Sequence, residues 1–158
     1  MASPSSAAFH DARGLRIAFD QARRSYEEGG IPIGSVLLDE SGRQLGAGHN
    51  ERVQKASPTL HAEIAALEDA GRLSGDVYKH CTLYTTLSPC SMCTGAALLY
   101  GIPRVVIGEN ANFTGDEDLL RSRGVEVIVA NETRCIELMA RFIKEKPELW
   151  NEDIGESV

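Results

Sequence analysis

The segment His61-Ala62-Glu63, followed by Pro89-Cys90-Ser91-Met92-Cys93, constrains the fold more than any other part of the chain. One histidine and two cysteines form a ligand set for zinc. Structural zinc sites close the tetrahedron with a fourth side chain, whereas catalytic ones stop at three and leave a position open. Position 61 must therefore meet positions 90 and 93 in space, and both segments read as helix starts. Cys90 and Cys93 are three residues apart, so their sulfurs share a face of a first helical turn. Pro89 precedes that turn, and the apolar run Thr94–Tyr100 follows it to Gly101. His61 opens a second predicted helix, Leu60 to Gly71, with apolar residues at Ile64, Ala65, Leu67 and Ala70. The N-terminus of a helix carries partial positive charge, which favours the thiolates that a metal requires.

The pattern H-x-E…P-C-x-x-C is the signature of zinc-dependent nucleobase deaminases. Zinc lowers the pKa of a bound water to about 7. Glu63 is not needed as a ligand and fits the proton carrier, taking a proton from water, passing it to a ring nitrogen and assisting ammonia departure. Residues two apart on an ideal helix do not share a face, so His61 and Glu63 must converge from the helix mouth. A redox pair or half of a closed zinc knuckle is the plainer reading of Cys-x-x-Cys. The first leaves His-x-Glu unexplained, and the second lacks a fourth ligand at suitable spacing. Cys81 and Cys135 lie in apolar or amphipathic runs and read as small buried hydrophobes. His10 and His80 read as surface residues, and His49 as a satisfied loop histidine.

A chain of 158 residues suits one domain with one sizeable core. Four cysteines, two of them claimed by metal, do not suggest a disulfide scaffold, so a reducing compartment, the cytoplasm with passive nuclear entry, is expected. No apolar run approaches the roughly 20 residues of a membrane span. Net charge is −7, from 16 basic and 23 acidic residues. That argues against nucleic acid as partner, because such affinity is built on phosphate neutralisation. Arg13, Arg16, Arg23 and Arg24 alternate with Asp11, Asp20, Glu27 and Glu28, as on a solvated helix face.

Periodicity predicts a helix from Asp11 to Glu28 and a hairpin of strands Ile33–Leu38 and Gln44–Gly48. Strands Thr82–Thr86, Arg104–Gly108 and Val125–Val129 follow, separated by the two ligand helices and a short helix after a polar loop. A last helix spans Thr133–Lys146, ended by Pro147, with a tail over Glu148–Val158. The fold class is α/β: a single three-layer α/β/α domain with a mixed five-stranded sheet. Residues 1–10 read as a disordered lead and 11–158 as the domain, with a C-terminal lid over about 147–158.

Beyond the zinc motif, several stretches resemble the fungal type of cytosine deaminase within the cytidine deaminase-like superfamily. They are Glu28–Gly34, Gly48-His49-Asn50, Tyr84–Cys90, Tyr100–Arg104, Gly108–Phe113 and Trp150–Glu156. The tail is the most discriminating, since deaminases of bases, nucleosides, nucleotides and RNA share the zinc motif. The resemblance implies a homodimer with one zinc per subunit, a small nucleobase as substrate, and conversion of cytosine to uracil and ammonia in pyrimidine salvage. It implies that Asn50 and the backbone N–H of Ala62 bond the pyrimidine carbonyl. Asp153 accepts from the ring N–H that a nucleoside lacks, and Phe113 and Ile33 flank the ring. Trp150 packs in the lid, and the Ser88 carbonyl receives the departing amino group. Two departures stand out: Ala62 where glycine also occurs in the fungal type, and a shorter, more acidic Thr114–Arg123. Another small amidine-like ring (guanine, isoguanine or creatinine) is the alternative substrate, and an RNA adenosine deaminase a more distant one.

Overall fold

The computed structural model describes residues 7–157. Of the expected lead, residues 1–6 lie outside the described residues. Ala8–His10 form a 3-10 turn that runs directly into helix α1, Asp11–Glu27. Strands β1 (Gly34–Asp39) and β2 (Gln44–His49) make the predicted hairpin. Helix α2 (Ala62–Ala70), a single turn α3 (Gly75–Tyr78) and strand β3 (Cys81–Leu87) follow. Then come α4 (Ser91–Leu99), β4 (Arg104–Glu109), α5 (Glu117–Ser122) and β5 (Glu126–Val129). Helix α6 (Thr133–Glu145) and α7 (Pro147–Asp153) complete the chain.

The sheet order is β2-β1-β3-β4-β5. β1 pairs antiparallel with both β2 and β3, while β3, β4 and β5 are parallel. Parallel neighbours need crossover helices, which α4 and α5 supply. Side chains alternate across the sheet, as a period of two requires. Val36, Leu38, Tyr84 and Val106 pack with Leu15 and Ala18 of α1. Leu37, Leu83, Val105 and Ile107 face the opposite side, with Tyr78, Ala97 and Leu120 of α3, α4 and α5. This is the three-layer mixed sheet that the pattern predicts. Gly14 brings α1 close to the sheet, since a Cβ there would stand 2.6 Å from the Tyr84 ring.

A third cluster lies beyond the C-terminal ends of the parallel strands. Ile31, Ile33, Ala62, Leu87, Met139, Phe142 and Trp150 bury one another there, with Phe113 and Ile154 against them. The tail is thus a helix and not an irregular strand of chain. Pro147 ends α6 and also starts α7, because its fixed φ and missing N–H suit a first helical position. Arg23 and Arg24 pair with Asp20, Glu27 and Glu28 along exposed α1, a solvated ladder worth little energy. Among the described residues, no helix is long and apolar enough to cross a membrane.

Candidate active site

His61 and Cys90 are the N-cap residues of α2 and α4, and both hold extended backbone (φ −66°, ψ 161° and φ −69°, ψ 175°). A residue in that conformation points its side chain away from the helix axis. His61 therefore escapes the helical spacing that would separate it from Glu63 in the first turn of α2. Cys93 sits in the first turn of α4, and the ligand atoms of His61, Cys90 and Cys93 lie within 4.8 Å of one another. Tetrahedral bonds of about 2.3 Å place neighbouring donors about 3.8 Å apart, so this spacing suits a zinc ion.

The protonation chemistry agrees. A hydrogen bond from the Cys93 thiol, opposed by burial and aided by His61, brings Cys90 down to about 4. Cys93 is pushed up as the donor in that pair, and burial and Glu63 add to the effect. Burial disfavours the His61 imidazolium, but Cys90, Asp153 and Glu63 outweigh it and raise its pKa to about 9. Two thiols and an imidazole crowded together compete for protons, and a divalent cation relieves that competition. Cys81 and Cys135 behave differently. Burial raises their thiols to about 11 and about 12, which keeps them protonated and inert.

His61 presents Nδ1 to Cys90 at 3.4 Å and Nε2 to the Asp153 carboxylate at 3.4 Å. A carboxylate on the far nitrogen fixes the tautomer and ring orientation of a metal-binding histidine. Asp153 also accepts from Asn50 Nδ2 at 2.8 Å and lies 3.8 Å from Arg52. Burial raises its pKa, against the pull of His61, Asn50 and Arg52. Glu63 is buried beside the ligands, and burial raises its pKa too. A carboxyl biased toward its neutral form suits a group that must take and return a proton near neutral pH.

A narrow pocket is lined by Ile33, His61, Glu63, Leu87, Ser88, Cys90, Phe113, Asp153 and Ile154. Four of the residues expected to touch substrate, Ile33, Ser88, Phe113 and Asp153, are on its wall. Asn50, Ala62 and Trp150 are buried beside it. Asn50 is wholly buried, with its carbonyl held by Arg52 N–H at 3.0 Å and one Nδ2 hydrogen on Asp153. Trp150 supports Phe113 edge-on, with centroids 6.0 Å apart. Leu87 and Ile154 line the cavity without having been expected there. Their signals were a strand end and the Asp153-Ile154 tail pair.

Two buried carboxylates also escaped the sequence reading. Glu109 holds Asn112 through its backbone N–H at 3.0 Å and its amide at 2.8 Å. Glu117 accepts from Ser88 Oγ at 2.6 Å, and Ser88 Oγ in turn accepts from Gly115 N–H at 2.9 Å. Together they fasten the loop that carries Phe113 to the end of β3. A Cβ on Gly115 would run into the Pro89 carbonyl, so only glycine passes there. His49 is buried at the end of β2, with Nε2 3.3 Å from Glu28, a satisfied polar neighbour of the site and not a ligand.

A histidine and two cysteines on paired helix mouths, beside a buried carboxylate in an α/β/α domain, define the class of zinc-dependent deaminases of small ring systems. The family model for the cytidine and deoxycytidylate deaminase zinc-binding region matches residues 10–109, and the chain belongs to that family. A cytosine deaminase of Candida albicans (strain SC5314) is 64% identical over 148 residues, covering 94% of this chain and 99% of the relative. A tRNA-specific adenosine deaminase of Haemophilus influenzae is 38% identical over 106 residues, 66% of this chain and 61% of that one. The solved guanine deaminase from Nitrosomonas europaea shares the fold, with TM-score 0.67 and 21% identity over 90% of this chain and 85% of its own.

Proposed function

We propose that the protein hydrolyses free cytosine to uracil and ammonia, as a cytoplasmic homodimer with one zinc per subunit, in pyrimidine salvage. The observation that carries this reading is α7, which seats Asp153 and Ile154 on the wall of the cavity that His61, Glu63 and Cys90 also line. The cytosine deaminase relative matches 94% of the chain, and so most of the region beyond residue 109. His61, Cys90 and Cys93 hold the metal, which when bound supplies the Lewis acidity that makes water nucleophilic at neutral pH. Glu63 would take a proton from the attacking water and deliver it to the ring nitrogen, then take the proton of the hydroxyl newly bonded to the ring carbon and pass it to the departing amine. Asn50, through its remaining Nδ2 hydrogen, and the Ala62 N–H bind the carbonyl. Asp153 accepts from the ring N–H. Phe113, braced by Trp150, and Ile33 flank the ring, and the Ser88 carbonyl takes the amino group as it leaves.

A sugar on the ring nitrogen removes the hydrogen that Asp153 accepts and needs room that α7 denies. A site built to bond an N–H rejects analogues lacking it. An apolar groove between α2, α3 and α4, with Leu67, Leu73, Tyr78 and the largely exposed Leu99 and Tyr100, supports a second subunit there. Ammonia release from cytosine, cytidine, guanine, isoguanine, creatinine and adenosine in tRNA tests the substrate. Turnover of cytosine with cytidine almost untouched is expected. Comparable kcat/KM for both would make the protein a nucleoside deaminase. Turnover of guanine or creatinine alone would keep the chemistry and change the substrate.

A further inference from the structure

Thr85 lies at the centre of β3, a strand buried along its whole length, and its own exposure is nil. Its neighbours on the same face are Leu83 and Leu87, which point toward the layer containing α2. A hydroxyl there cannot reach water and must find a partner. It has two: Glu63 Oε1 at 3.1 Å and the Leu87 carbonyl at 3.2 Å. A hydroxyl carries one hydrogen, so the two acceptors share or exchange it. Leu87 alone would satisfy Thr85 as a strand residue. The contact to Glu63 is the one that structure alone does not require.

We propose that Thr85 is a positioning residue for the reaction: by donating to Oε1 it fixes the plane of the Glu63 carboxylate and leaves the other oxygen to carry the proton. Glu63 otherwise has rotatable χ angles. Proton transfer requires its oxygen within about 2.6–3.2 Å of both water and ring nitrogen. The hydroxyl serves the carboxylate and the carboxylic acid alike, because Oε1 remains an acceptor while the proton resides on the other oxygen. The bond therefore persists through the proton's passage and costs no reorganisation at each transfer. This inference rests on the deaminase reading, in which Glu63 moves protons.

Thr85→Val keeps the shape and removes the donor. The expected result is a fall in kcat of about 10²-fold, the size that a misplaced reacting group incurs, with KM for cytosine and zinc per chain near the wild-type values. Thr85→Ser, which restores the donor, is expected to recover most of kcat. Wild-type kcat in Thr85→Val would overturn the proposal. So would a loss of zinc together with kcat, or an equal loss in Thr85→Val and Thr85→Ser, since either marks a structural role. Glu63→Gln separates the two levels. If it abolishes turnover while Thr85→Val does not, the chemistry stands and the role of Thr85 falls; if Glu63→Gln turns over normally, the reading beneath both falls.

Discussion

The carboxylate of Asp153 is shared among Asn50, His61 and Arg52 before any substrate arrives. Its replacement consequently reaches both the metal ligand and the pocket. Asp153→Asn keeps an acceptor for Asn50 but removes the charge beside His61 that the proposed function also sets against the ring N–H. A hydrogen bond to a charged group is worth about 1.5–3 kcal/mol, so kcat/KM for cytosine is expected to fall by about 10–10² fold. The preference over cytidine should shrink with it. Steady-state kinetics with both substrates checks this, and an unchanged preference would remove Asp153 from substrate choice. The zinc ligands and Glu63 were legible as a motif because their spacing is tied to coordination chemistry. Thr85 was not. In Tyr84-Thr85-Thr86 a threonine reads as a β-branched strand former, and nothing in sequence says which acceptor its hydroxyl meets.

At the level of elements, strands and long helices followed from periodicity, with ends displaced by a residue or two. The misses have local causes. α3 is four residues long, too short to show a period. α7 begins at a proline and is rich in acids, which by pattern reads as an end and a solvated tail; Trp150 and Asp153 stood out there only through the resemblance, and the structure buries both. The β1–β2 hairpin offers a test of local chemistry. Asp39 Oδ1 accepts from Ser41 N–H, Ser41 Oγ and Arg43 N–H at 2.9, 2.6 and 3.0 Å. Burial opposes its charge, but these bonds outweigh it and hold the carboxyl below its ordinary pKa. The folded value is depressed, so the contribution is complete above the unfolded pKa near 3.9 and is lost as pH falls through the folded value. Asp39→Asn is expected to lower Tm at pH 7 and to narrow the gap from wild type toward pH 3. A gap that stays constant over that range would show that the charge contributes nothing.

At the scale of the whole molecule, the metal ligands come from the mouths of two helices set on one side of a sheet. Cys90 and Cys93 share one helix start, and His61 meets them only where α2 and α4 dock on the same side of the sheet. The complete donor set is therefore expected to form late in folding, with a bound ion interacting little with the transition state. Interactions absent from the transition state slow unfolding without accelerating folding. In stopped-flow denaturant experiments, saturating zinc is therefore expected to leave the refolding rate within about twofold while slowing unfolding by 10-fold or more. Faster refolding with zinc would place ligand convergence early. On that expectation the helix mouths make a bound ion a brake on the exit from the native state, and the folded chain persists for as long as the ion stays.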